Sequence, residues 1–341
     1  MSSDIPYLPP NSLILVTGAN GLLASHVTHA LLTHGYRVLG TVRTPQPWLA
    51  NHFTTLHGPN RFSLVQVPDL SSPTAWDGIL TPSSGIAGIA SVAGYSNLFP
   101  SDVDAAVHAD LQMHINLLAA AKRVPTIKAV QFTSSYWAAS TPSTVTPETV
   151  TEESWNEAAV ALAPDATDGL AKFMAVKTKV EQGVWEWIAQ ETPAYKFNTF
   201  LLDTVIGEVF DSDKQSGSTA GLVGAVYTGE NLGFLELIAP QWFIDAGDVG
   251  RLYVGAFVTG VDGWRVFGAA EKFSWFKVLG ILKGMFPEKK DWPDLKDGGL
   301  DLSAVVSERH LVLLRAVGRE GHVGLEASVE EAIESLVRNK A

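Results

Sequence analysis

The sequence predicts an α/β fold in which a doubly wound parallel sheet carries a smaller, mixed α/β C-terminal domain. Short, continuously apolar runs recur as far as Ile206. Segments of helical spacing separate them, and a glycine-rich turn joins the first run to the first helix. Strands alternating with helices imply βαβ units, and right-handed crossovers wind such units onto both faces of one sheet.

Each element follows from its residues. Residues 13–17 form an unbroken run suited to a central strand buried on both faces. Leu22, Leu23, Val27, Ala30 and Leu31 then recur at helical spacing, with Gly35 as the stop. Residues 36–42, 62–67, 86–91 and 127–133 read as strands two to five, and residues 102–123 as a long helix. Residues 169–190 read as another helix and 197–206 as a sixth strand. Beyond Gly207 the glycines become frequent and the segments short. There Asp248 reads as the N-cap of a helix reaching about Thr259, and residues 264–267 as one more strand. Helices are expected over 274–285, 303–317 and 329–338, and a loop over the Thr-, Ser- and Pro-rich residues 140–152. The expected division is a nucleotide-binding domain over 11–207 and a mainly substrate-binding domain over 208–341, with some later segments returning to the sheet.

Composition narrows the function. The chain has 341 residues, 46% hydrophobic and 18% charged, which is enough apolar material for a large core. The net charge of −12 is spread along the chain and argues against nucleic acid as a partner. The absence of cysteine removes disulfides, thiolate catalysis and Cys-ligated metals. His26, His29 and His34 read as positions along a surface helix, without acids at ligand spacing, so no metal is expected. No apolar run reaches the roughly 18–20 residues that span a bilayer. Residues 273–286 come nearest and are broken by Lys277 and Lys283. A soluble, cytoplasmic protein without a membrane partner is the expectation; the oligomeric state is not legible.

The turn after the first strand is the strongest motif. Gly18 permits a sharp bend, Asn20 and Gly21 bring backbone toward a pyrophosphate, and Ala24 keeps the helix close to the sheet. The helix N-terminus then offers N–H groups and partial positive charge to phosphates. These are marks of a Rossmann-type nucleotide site. At the end of strand two an NAD site wants an acid, whereas this chain has Arg43. A guanidinium there can meet a 2′-phosphate, so NADP(H) is the expected cofactor. The plainer reading of Arg43 is a solvated surface residue. Asp69, after strand three, is either an acceptor for the adenine amine or a local cap.

With these residues placed, the chain resembles the extended short-chain dehydrogenases/reductases. It is most similar to the fungal NADPH-dependent aldehyde/carbonyl reductases near dihydroflavonol reductase. The likeness runs over nearly the whole chain. It is carried by the motifs at 15–21, 34–36, 89–92, 132–135, 153–156 and 215–219, from Leu15-Val-Thr-Gly-Ala-Asn-Gly21 to Gln215-Ser-Gly-Ser-Thr219. The resemblance implies NADPH-dependent reduction of ketones or aldehydes by a Ser, a Tyr and a Lys. Ser135 matches the Ser that bonds the substrate oxygen, and Lys177 matches the Lys that holds the nicotinamide ribose. It also implies cofactor contacts at Leu22, Leu70, Ala90, Ser91, Leu202 and Ser218.

The Tyr position, four residues before Lys177, is Phe173. Val176, Leu202 and Gly88 depart from the family pattern as well, which points to divergence rather than one replacement. Phenylalanine has no proton to give, and a positioned general acid is worth about 10²–10⁴ in rate. Tyr136 and Tyr95 are candidate substitutes, although Tyr136, adjacent to Ser135 on a strand, is expected to face the other way. Three functions stay open: a residual reductase, a non-redox enzyme on the same fold, and an NADP(H)-sensing protein without turnover. Tyr95, Tyr136, Trp137, Trp242 and Phe243 are candidate walls for a bulky apolar or aromatic substrate; each is also a plausible core residue. Asp203 and Asp168 are candidate acids near the site, with a strand-end turn and a helix cap as their plainer roles.

Overall fold

The computed structural model describes residues 5–94, 97–167, 169–215 and 217–338. The first half is a run of βα units: β1 (Leu13–Val16), α1 (Leu22–Thr33), β2 (Arg37–Val42), α2 (Pro47–His57), β3 (Phe62–Gln66), β4 (Ile86–Ser91), α3 (Val103–Lys122) and β5 (Ala129–Ser135). There follow β6 (Thr149–Val150), α4 (Glu157–Leu162), α5 (Gly169–Glu191), β7 (Lys196–Leu202) and β8 (Thr204–Ile206). The chain then forms α6 (Ser218–Thr228), α7 (Gly233–Leu237), β9 (Gln241–Asp245), α8 (Ala246–Thr259), β10 (Trp264–Gly268), β11 (Glu271–Phe273) and α9 (Trp275–Met285). It ends in β12 (Ala304–Val305), α10 (Arg309–Ala316) and α11 (Leu325–Arg338).

Seven parallel strands make the main sheet in the order β10-β7-β5-β4-β1-β2-β3. The order reverses beside β1, where a doubly wound sheet opens its crevice at the strands' carboxyl ends. A small mixed sheet, β11-β9-β8, lies past those ends, and β12 pairs with β6. Two apolar clusters cover the two faces of the main sheet. One centres on Val16, Val27, Leu31 and Val254, the other on Leu15, Leu117, Val130 and Val180. Leu15 and Val16 thus face opposite ways, as a central strand requires. A third cluster, with Val223, Phe243, Val278 and Ile333, fills the space beneath the small sheet.

Several elements differ from the sequence expectation, each for a local reason. The sixth strand is interrupted at Asp203. Its carboxylate accepts from the N–H groups of Thr204 and Trp242, which turns the chain out of the main sheet and into the small one. The N-cap of α8 is Asp245, whose Oδ1 accepts from Asp248 N at 3.0 Å. Asp248 lies inside the helix and instead bonds Arg251 and Val323 N. Residues 303–317 do not form one helix, because the N–H groups of Ala304 and Val306 bond the backbone of β6 and its neighbour Glu148. The first helix is not a surface helix. His26 is buried on it, stacks on Phe210 at 4.6 Å and bonds the Glu208 carbonyl. Among the described residues no helix is long and apolar enough to cross a membrane, and no group of side chains is arranged to hold a metal.

Helix α5 is tied to the sheet by a buried charge. Phe173, Lys177 and Glu181 are spaced by four and share one face of this helix. Glu181 has no exposed surface and receives hydrogen bonds from four side chains of the sheet and helix. These are Ser134 Oγ (2.8 Å), Thr199 Oγ1 (2.8 Å), Arg265 Nε and Nη2 (2.9 and 3.2 Å) and Trp185 Nε1 (3.4 Å). Breaking a buried ion pair from one side leaves an uncompensated charge and costs about 3–5 kcal/mol. Glu181→Ala is therefore expected to lower unfolding free energy by about that amount in urea titrations. A loss within about 0.5 kcal/mol, as for an ordinary surface change, would remove Glu181 from this role.

Candidate active site

The turn between β1 and α1 is tied to its neighbours by its own N–H groups: Ala19 N donates to the Thr41 carbonyl and Gly21 N to the Gly18 carbonyl. Gly18 sits at φ +68°, and a Cβ there would lie 3.1 Å from Ala93 Cβ. Thr17 Oγ1 accepts from the N–H groups of Val92 (2.8 Å) and Ala93 (2.9 Å), pinning the turn to the end of β4. Thr41 Oγ1 accepts from Gly18 N. Gln215 reaches across from the loop before α6, donating to the Asn20 carbonyl and to Ser25 Oγ. Gly21, the N-cap of α1, is extended and offers no side chain to the helix's first N–H groups. Ala90 and Ser91 are buried at the end of β4, and Leu70 is half-buried against the neighbouring core. Arg43 is exposed at the end of β2. Asp69 is exposed too, and its Oδ1 accepts from both the hydroxyl and N–H of Ser71, which hold its pKa below the ordinary value.

Beside this turn lies a cavity of roughly 450 Å³. The ends of β5 and β7 form its floor, α5 one wall, and α6, α7 and β9 the other. Of the site residues expected from the sequence, Leu22, Ser135, Trp137, Phe173, Lys177, Leu202, Asp203 and Ser218 all line it. Ser135 Oγ accepts from Trp137 N at 3.2 Å, and its own O–H finds no acceptor among the described residues. Phe173 is 6% exposed, and Trp137 meets it edge-on at 6.0 Å. Lys177 Nζ lies 5.2 Å from the Phe173 ring centre and 3.4 Å from Asp110 Oδ2. Asp110 and His114 are buried on α3, with His114 Nε2 3.2 Å from Asp110 Oδ1. Ser218 opens α6 at φ +45°, a conformation few non-glycine residues adopt.

Other expected residues lie elsewhere. Tyr136 is fully buried in a separate cluster, where its hydroxyl bonds Ser303 Oγ at 2.8 Å. Trp242 Nε1 donates to the same oxygen, and Phe243 is core. None of the three reaches the cavity. Tyr95 and Asp168 lie outside the described residues. The sequence reading missed the supports of the site. Gln241 accepts from Trp137 Nε1 (2.8 Å) and donates to Thr204 Oγ1 (2.7 Å), so it fixes the indole wall. Asp110 and His114 were missed because nothing local marks a buried acid on a helix whose partner is 67 residues away.

Comparison with known proteins places this geometry. Residues 14–261 match the model of the NAD dependent epimerase/dehydratase family. The chain belongs to that family. Curated relatives match it almost end to end. Aldehyde reductase 2 of Sporidiobolus salmonicolor is 34% identical over 346 residues, covering 97% of this chain and 98% of the relative. Ketoreductase adrE of Penicillium rubens is 34% identical over 330 residues, covering 96% and 97%. The fold is that of Gre2 from Candida albicans, solved in complex with NADPH. The TM-score is 0.81 at 21% identity, covering 96% of this chain and 99% of that one. The chain is thus an epimerase/dehydratase-family protein with reductase relatives.

The buried carboxylate beneath Lys177 supplies a direct check on the site's framework. Asp110→Ala removes the acid that Lys177 and His114 share. It is expected to cost about 3 kcal/mol of stability in chemical denaturation. Asp110→Asn keeps one acceptor and should cost less. Equal stability of Asp110→Ala and the parent would show that Lys177 does not depend on this acid.

Proposed function

We propose that the chain is an NADP(H)-dependent oxidoreductase that reduces a bulky, largely apolar or aromatic ketone or aldehyde, with chemistry weakened by Phe173. The observation that carries this reading is the single cavity onto which Ser135, Phe173 and Lys177 open together with Leu22 at the glycine turn. The uncapped α1 N-terminus, Gly18 and Gly21 suit a pyrophosphate. Arg43 at the end of β2, in place of an acid, suits a 2′-phosphate. The aldehyde reductase and ketoreductase relatives support a carbonyl substrate. Phe99, Trp137, Leu170, Leu222, Phe234 and Ile238 line the cavity and favour an apolar body for it.

On this reading NADPH supplies a hydride when bound. Lys177 holds the nicotinamide ribose and is itself held by Asp110. Ser135 donates its hydroxyl to the substrate oxygen. Phe173 stands where the family resemblance places a tyrosine acid. It keeps the ring's packing against Trp137 and gives no proton. That absence favours a second reading, a non-redox reaction with the cofactor unchanged.

Turnover of aryl ketones and aldehydes with NADPH deuterated at the transferred position separates the readings. Deuterium in the alcohol product is expected. Product formed with the cofactor unchanged would favour the non-redox reading, and tight NADPH binding without any turnover a sensor. Arg43→Leu is expected to weaken NADPH binding by about 10–100-fold, the worth of one charge-assisted contact, and to leave NADH binding unchanged. Equal losses for both cofactors would place Arg43 outside the cofactor site. Phe173→Tyr is expected to raise the rate. The gain reaches about 10²–10⁴-fold if the parent has no acid, and is smaller to the degree that another group already delivers the proton.

A further inference from the structure

On the reductase reading the reacting carbonyl sits beside Ser135, at the cavity floor, and the nicotinamide ribose beside Lys177 on the α5 wall. Cofactor and substrate then share one space of roughly 450 Å³. A substrate much larger than a single ring has to extend toward solvent.

Two half-exposed apolar side chains flank that way out. Phe99, in the loop between β4 and α3, and Leu237, at the end of α7, both line the cavity, and each is 48% exposed. They come from opposite sides. Phe99 is packed on the first residue of α5, where a Cβ on Gly169 would fall 2.6 Å from its Cδ1. Leu237 belongs to the α6–α7 side. Phe234, three residues before it on the same helix face, lines the cavity as well. Leu235, between them, is buried in the core beneath and anchors the helix.

The outer part of the cavity is without charge. Among the described residues that line it, only Lys177 and Asp203 are ionisable. Lys177 stands on α5 about 12 Å along the helix from Gly169, and Asp110 engages it. Asp203 follows Leu202 on the floor, and the N–H groups of Thr204 and Trp242 hold its carboxyl.

We propose that Phe99 and Leu237 are specificity-determining residues. They form the rim of a channel through which an extended, uncharged apolar tail of the carbonyl substrate leaves the cavity. The inference rests on the reading of this cavity as a carbonyl site. A methylene removed from water contributes about fourfold in affinity, and one at a half-open rim somewhat less. A tail ending in a carboxylate or phosphate meets no cation at this rim.

The test uses straight-chain alkyl phenyl ketones from acetophenone to dodecanophenone. Their binding to the NADP⁺-loaded protein is measured by calorimetry, and their turnover with deuterated NADPH. Affinity is expected to rise about two- to fourfold per methylene and to level off once the tail clears the rim. Across the series KM should fall while kcat stays level, because the added contacts are remote from the reacting atoms. The double variant F99S/L237S should bind acetophenone as the parent does, lose most of the slope, and bind the longest ketones about tenfold or more weakly. Phe99→Leu and Leu237→Met, which keep the rim apolar, should retain the slope. A tail ending in a carboxylate should bind at least tenfold more weakly than a methyl-ended tail of equal length. A flat or falling series in the parent overturns the proposal, and so does a slope unchanged in F99S/L237S. Equal binding of the carboxylate-ended tail overturns its uncharged character. Deuterium in the alcohol with a flat series overturns the rim alone. A rising series without deuterium transfer upholds the rim and overturns the reductase reading. No ketone binding at all overturns both. If NADP⁺ does not bind, the cofactor assignment falls, and the same series on the chain alone decides the rim.

Discussion

A carboxylate with no contact to solvent holds the working helix of this protein to its sheet. Glu181 is surrounded by donors from β5, β7 and β10 and from its own helix, and Arg265 neutralises its charge. Taking such a pair out of water is costly, and good geometry together with the remaining hydrogen bonds offsets the cost. Arg265 is itself fixed from behind, over the Trp155 ring at 3.9 Å and against the carbonyls of Glu152 and Ser154. The pair therefore contributes direction more than raw stability. One turn above it on the same face of α5 is Lys177, and one turn above that is Phe173. Their positions opposite Ser135 follow from where Glu181 is tied.

What the sequence made legible is what short-range chemistry determines. The strands near the centre of the sheet announce themselves as continuous apolar runs, and β4 was read to the residue. The glycine turn is legible because it needs a left-handed residue, Gly18, and a side-chain-free approach. The family, too, is legible from local motifs. What was hidden depends on partners distant in the chain. Asp203 reads both as part of a strand and as a strand-end turn, and the partner that decides for the turn, Trp242 N, is 39 residues away. Asp248 has the composition of a cap, but Asp245, three residues earlier, takes the role because Asp248 is held by Arg251 and Val323. Tyr136 looks like a pocket aromatic because it adjoins Ser135. Its hydroxyl is satisfied by Ser303, a residue 167 positions away, and that bond draws the ring into the core.

The cavity wall also shows how packing and hydrogen bonds fix aromatic rings independently of one another. A ring without a hydroxyl packs against Trp137 much as one with a hydroxyl would, so the wall survives the change. The indole is locked independently by Gln241, which is locked by Thr204. Thr204 is the neighbour of Asp203, so the indole wall and the turn out of the main sheet are positioned by one short stretch of backbone.

The outermost strand beside β7 has a consequence for how the molecule is made. β10 completes the edge of the main sheet, yet it is built from residues 264–268, after the whole of the small sheet except β11. A nascent chain thus presents β7 as an unpaired edge until late in synthesis, with its N–H and C=O groups open to other strands. The same late segment carries Arg265. Until it is threaded into place, Glu181 is a charge without a counter-ion, and the helix bearing Lys177 has no fixed seat. The active geometry is therefore among the last things this chain acquires as it folds, and a chain cut short before residue 264 lacks the means to acquire it.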